Sequence, residues 1–200
     1  MNHDDVPRVV LAVVLATFFV TTAFMGLRSR KSRAKVVTRR ESRLKFGAAG
    51  FLWLAWISAS VAFVVNPALM GWSALSLPAW LRWTGVAITF PAYVLGGWAI
   101  LSLVLRDAYS GSVVIKDSHT LVTSGPYRWI RHPIYTTYFA WTLSFFLLTA
   151  NGFIGLVLLA MSILLASRVE GEEAMLLERF GDEYRAYMQR TGRFLPGLRR

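Results

Sequence analysis

The stretch HTLVTSGPYRWIRHPIY, residues 119–135, holds two of the three histidines of the 200-residue chain, with two arginines, two tyrosines, a tryptophan, a Gly-Pro turn and a His-Pro step. It separates an apolar run that ends at Leu105 from another that starts at Ile134. A loop between apolar segments needs only to turn and to be polar. Repeated imidazole, guanidinium and aromatic groups therefore point either to a functional loop or to a basic interfacial anchor, with Trp129 and the tyrosines at lipid headgroup level.

Reading outward, the chain is 55% apolar and 16% charged, which describes an integral membrane protein rather than a soluble surface. The absence of cysteine excludes disulfides, thiolate metal sites and a cysteine nucleophile. A net charge of +11 raises the question of nucleic acid, but the basic residues sit beside apolar segments, where membrane lipids and topology account for them, so no nucleic-acid partner is expected. The N-terminus, MNHDDVPR, places two acids before the apolar run, and no small-residue cleavage pattern follows, so a cleaved signal peptide is not expected.

The apolar runs predict an all-α polytopic membrane helix bundle of about five membrane segments with a cytosolic amphipathic C-terminal helix. Residues Val6–Leu27, Phe46–Val65 and Leu81–Leu105 are long enough to cross, the last with Pro91, Gly96 and Gly97 inside it. Ile134–Leu148 and Phe153–Ala166 are shorter and are separated by Thr149, Ala150, Asn151 and Gly152, which predicts a tilted helical hairpin. Beyond Arg168 the chain turns polar, and Glu173, Leu176, Phe180, Tyr184 and Tyr187 share one helical face over about Gly171–Gln189. Two units follow: residues 1–105, three transmembrane helices with a basic cytosolic loop, and residues 106–200, the loop, hairpin and C-terminal helix, where the chemistry-bearing residues cluster. Of the 22 Lys and Arg residues, 20 fall on one side of this topology, leaving only Arg8 and Arg82 opposite. The positive-inside rule then puts the N-terminus outside and both the 119–135 loop and the tail in the cytoplasm.

A hairpin that starts and ends on one side brings His132-Pro133 near Glu172-Glu173. Free N–H groups in the first turn after Pro133, at Ile134, Tyr135 and Thr136, would form an anion site, and the facing carboxylates would attract a cation. Together they suit a zwitterionic ligand. Rival readings are helix capping or interfacial hydrogen bonding for His119 and His132, dipole-favouring charge for Glu172 and Glu173, and a metal site, for which the ligand spacing is wrong. Tyr184, Tyr187 and Phe180 read as packing residues of the tail helix.

The combination of HTLVTSGPYRWIRHPIY, a gap of 36 residues, the pair EE and then FGDEYRAYMQRTGRFLPG resembles the isoprenylcysteine carboxyl methyltransferase family and the related membrane phospholipid methyltransferases. The resemblance covers Val114–Gly197. It implies S-adenosyl-L-methionine as cofactor, bound at the cytosolic face, and a lipophilic or prenylated acceptor taken from the membrane. It also implies that His119, Leu121, Gly125, Pro126, Tyr127, Arg131, His132, Tyr135, Glu172 and Glu173 surround the cofactor, and that Arg131, His132, Glu173 and Arg168 take part in catalysis. Thr137 stands where the family often has glycine, so a narrower pocket is expected there.

The chemistry of such a cofactor suits these residues. Its carboxylate would meet Arg131 or the helix N-terminus, its ammonium Glu172 or Glu173, and its sulfonium an aromatic face at Tyr127, Tyr135 or Trp129. A carboxylate acceptor, anchored by Arg168 or Arg131, needs no base. An aminolipid would need one, such as His132, His119 or a glutamate. The expected activity is carboxyl O-methylation of an isoprenylcysteine-like acceptor. The alternatives are ethanolamine N-methylation, small-thiol S-methylation, an NADPH-dependent sterol or enone reductase, which has a similar HPxY region, and a non-catalytic membrane adaptor. No metal is expected, and oligomeric state is open.

Overall fold

A computed structural model describes residues 5–29, 36–38, 43–105, 114–116 and 120–197. Among the described residues are six α-helices: α1 (Asp5–Ser29), α2 (Arg43–Val65), α3 (Ala79–Val104), α4 (Pro133–Thr149), α5 (Gly152–Ala166) and α6 (Val169–Arg190). Three helical stretches, Leu44–Val65, Ala79–Val104 and Gly152–Arg190, are long and apolar enough to cross a membrane, and Val6–Thr17 forms a shorter apolar stretch. The expectation of about five segments therefore meets helices of unequal length.

Two features depart from the sequence reading. A short antiparallel ladder, β1 (Val36–Thr38) and β2 (Val114–Lys116), pairs Val36 with Lys116 and Thr38 with Val114. β1 is three β-branched residues and β2 begins with two, which suits extended pairing but is too short to show as a pattern. The tail helix is also not separate. Ser167 and Arg168 both keep right-handed helical geometry, so α5 runs into α6, and the change there is one of polarity. The apolar part of that long stretch is α5, because α6 turns polar from Glu170 onward.

Helices α3 and α4 form the main seam. On α3 the buried positions are Gly85, Thr89, Ala92, Gly96, Ala99 and Ser102, a stripe of small residues. In lipid there is no hydrophobic drive between helices, so close van der Waals approach and hydroxyl bonds must hold the seam. Thr89 and Ser144 hydroxyls meet at 2.6 Å, and Ser144 Oγ donates to the Gly85 carbonyl at 2.8 Å. A Cβ on Gly96 would stand 2.9 Å from Thr137 Cγ2, so only glycine admits the threonine there. Thr137 is thus a buried seam residue, and its hydroxyl donates to the Pro133 carbonyl at 3.0 Å.

The end of the bundle away from the 119–135 loop is closed by polar staples. Asn151 accepts from the Ile154 N–H as the N-cap of α5 and donates to the Met70 carbonyl, while Ala150 takes the left-handed conformation that ends α4. Arg8 donates to the Val64 and Val65 carbonyls at the end of α2, and Arg82 to the Leu148 carbonyl at the end of α4. Those are the two basic residues that the charge asymmetry leaves on this side, and each caps the negative end of a helix.

Candidate active site

At the other end, α4 begins where α6 passes. Arg131 and His132 lie in the chain just before Pro133, Glu172 lies in the first turn of α6 and Glu173 directly after it. The hairpin brings them into contact. His132 lies between the two acids, with Nε2 3.3 Å from Glu173 Oε1 and Nδ1 3.6 Å from Glu172 Oε2. The Tyr135 hydroxyl donates to Glu172 Oε1. Arg131 Nε donates to Glu173 Oε1 at 2.9 Å, and its Nη1 donates to the carbonyls of Met188 and Thr191 beyond it.

A further cation comes from a segment that periodicity does not reveal. After α6 the chain returns along the loop, with Arg131 N–H donating to the Gly192 carbonyl, His132 N–H to the Arg193 carbonyl and Gly192 N–H to the Trp129 carbonyl. This places Arg193 Nη2 2.5 Å from Glu173 Oε2 and the Phe194 ring 6.1 Å from the His132 ring. Thr136 Oγ1 donates to the Phe194 carbonyl at 2.6 Å. The signal lay in GRFLPG, where turn-forming residues surround an Arg-Phe pair directly after an amphipathic helix.

Burial sets the protonation. Taking the His132 ring out of water disfavours its charged form; the neighbouring Glu173 opposes this, Arg131 and Arg193 add to it, and the pKa falls to about 4. Burial alone would push the Glu173 carboxyl up, but hydrogen bonds from Arg193 and Arg131 outweigh it and hold the carboxyl below its ordinary value. At neutral pH the site therefore holds a neutral imidazole beside an ionised Glu173.

The structure brings together Arg131, His132, Tyr135, Glu172 and Glu173. Pro126 and Tyr127 are buried beside α3, where Tyr127 clusters with Ala99 and Val122. Gly125 has a φ of +62°, and a Cβ there would stand 2.3 Å from Ser102 Oγ, so the turn needs glycine twice over. Tyr127 is nonetheless tied to the tail, since the Tyr187 hydroxyl donates to its carbonyl at 2.6 Å. Leu121 is half-buried on the approach to that turn. Trp129 is exposed, edge-on to Trp98 and under the Arg128 guanidinium at 4.2 Å, an interfacial arrangement. Arg168 sits at the α5–α6 junction, where its carbonyl accepts from the Glu172 N–H. The Thr136 N–H, expected to bind an anion, donates instead to the His132 carbonyl. His119 lies outside the described residues.

Fold and site define an integral membrane protein with a charge-paired polar site at one end of its helices. Residues 85–178 match the model of the isoprenylcysteine carboxyl methyltransferase family. The protein-S-isoprenylcysteine O-methyltransferase of Mus musculus is 32% identical over 64% of this chain and 46% of its own length. The Xenopus laevis protein of the same name is 30% identical over 73% of this chain and 50% of its own length. This chain thus spans about half the length of these relatives. A solved structure of a eukaryotic intramembrane Ras methyltransferase, an isoprenylcysteine carboxyl methyltransferase, superposes with a TM-score of 0.52 at 28% identity, over 80% of this chain and 54% of that one.

Proposed function

We propose that the chain is an S-adenosylmethionine-dependent carboxyl O-methyltransferase whose acceptor is a lipophilic, isoprenylcysteine-like carboxylate. The observation that carries this reading is the Glu172–His132–Glu173 constellation, two carboxylates flanking an imidazole held neutral, inside the segment that matches the family. The named activity of the relatives supports the acceptor class.

When bound, the cofactor would supply a methyl group on a sulfonium and leave as S-adenosylhomocysteine. The residues fit such a group. Glu172, oriented by the Tyr135 hydroxyl and less buried than Glu173, would receive its ammonium. His132 stays uncharged at pH 7 and so adds no repulsion toward a sulfonium. A base with a pKa of about 4 is poorly matched to deprotonating an ammonium at neutral pH, whereas a carboxylate acceptor is already ionised. This favours O-methylation over ethanolamine N-methylation. The paired acids would also repel a 2′-phosphate, which disfavours an NADPH enzyme. What remains for the protein is alignment and exclusion of water.

Titrating the purified full chain with S-adenosylhomocysteine and with NADPH tests the reading. Binding of the first alone is expected, and Glu172→Gln should weaken it by about 1.5–3 kcal/mol, the strength of a charge-assisted hydrogen bond. Binding of NADPH alone would overturn the proposal.

A further inference from the structure

The two arginines on Glu173 differ in what they can still do. Arg131 is 10% exposed, with Nε on Glu173 and Nη1 on two carbonyls. Detaching it would strand a buried charge, at a cost of several kcal/mol. Arg193 has its backbone pinned by the His132 N–H to its own carbonyl at 3.0 Å, yet its side chain is 43% exposed. It meets Glu173 through Nη2 at 2.5 Å and Nε at 3.4 Å, and Nη1 makes no hydrogen bond among the described residues. Its guanidinium already reaches water and Arg131 stays on the buried carboxylate, so Arg193 can turn to another partner while its Cα stays fixed.

From this contrast we infer that Arg193 is a carboxylate-binding residue of the site: a ligand carboxylate takes the guanidinium fork while Arg131 keeps Glu173 neutralised. Planar, preorganised donors at the rim of an acid pair make a seat for a group bearing both charges, with the ammonium on Glu172 and the carboxylate on Arg193. Phe194, next in the chain, packs its ring against Tyr135 and Phe139 and gives this seat an apolar wall. The inference rests on the proposed function and names a residue outside the HP and EE motifs. The carboxylate has two possible sources, the amino-acid end of the cofactor and the acceptor itself.

The test compares wild type, Arg193→Ala and Arg193→Lys, each as the full chain, with paired ligands. For the cofactor arm these are S-adenosylhomocysteine and its decarboxylated analogue; for the acceptor arm, a farnesylcysteine analogue and its carboxamide. If the cofactor supplies the group, Arg193→Ala loses about 10- to 100-fold in affinity for S-adenosylhomocysteine and almost none for the decarboxylated form. If the acceptor supplies it, the same loss falls on the farnesylcysteine acid and spares the carboxamide. Arg193→Lys, which keeps the charge but not the fork, falls between. Equal losses for acid and neutral partner, no loss in either arm, or failure of both variants to fold would overturn the inference and leave Arg193 a structural residue. Wild type that binds neither ligand pair would instead overturn the functional reading on which it rests.

Discussion

Glu173 is nearly inaccessible, yet it meets Arg131, His132 and Arg193 at once, so it joins the loop, α6 and the returning tail as well as taking part in any chemistry. Its neighbour Glu172 is the better probe of binding, because it takes no part in the Glu173–Arg131 and Glu173–Arg193 ion pairs. Protonation couples the same cluster to pH. The pKa of His132 is about 4 in the folded protein, against an ordinary 6.5, so between these values the unfolded chain binds the extra proton. Stability is then fully present above about pH 6.5 and falls as pH drops toward 4, by up to roughly 3 kcal/mol from this group. The depressed carboxyl of Glu173 has the same sign and contributes in more acidic solution, since its stabilisation is lost as pH falls through its folded pKa. The thermal midpoint of the ligand-free protein should therefore fall from pH 7 to pH 4.5, and His132→Gln should flatten that slope. A midpoint that rises on acidification would mean that His132 is charged in the folded state.

At the scale of elements, the apolar runs and the Asn-Gly turn made the helices legible, because both signals are local. Ile134–Leu148 predicts α4 (Pro133–Thr149) to within a residue at each end. The meeting of His132 with Glu172 and Glu173 was legible too, since a hairpin returns to the side it left. Three things were not. The tail reaches the site through backbone bonds between residues 129–132 and 192–197, and such pairing leaves no periodicity. Gly125, Pro126 and Tyr127 enter a 3-10 turn that packs on α3, a contact that the motif itself does not announce. Thr137 was expected to narrow a pocket and instead fills the space that Gly96 leaves on α3. Thr137→Gly should accordingly cost stability, about 1–3 kcal/mol from lost packing and a flexible helix position, with little change in S-adenosylhomocysteine affinity. Melting curves and calorimetry on the same preparation decide the point. A variant that binds tenfold tighter at unchanged stability would restore Thr137 to the pocket.

For the molecule as a whole, the charge asymmetry and the site agree on one arrangement. The end capped by Arg8 and Arg82 is poor in basic residues, and the end holding the paired acids carries Arg131 and Arg193. The proposed orientation puts the N-terminus outside and the C-terminus, with the site, in the cytoplasm. Reporter fusions at both termini should give opposite sides; the same side for both would contradict the bundle's proposed path. The flank of α3 exposes Phe90, Val94, Trp98 and Leu101, an apolar surface that would suit the acyl or prenyl tail of the proposed acceptor. Such a tail gains about 0.8 kcal/mol per buried methylene, which favours a lipidic acceptor over a free polar metabolite. The most direct measurement is transfer of label from methyl-labelled S-adenosylmethionine to a farnesylcysteine analogue, phosphatidylethanolamine and a small thiol offered in parallel. The proposed function predicts label in the farnesylcysteine analogue alone, as a base-labile methyl ester. Label only in phosphatidylethanolamine or only in the thiol would contradict it.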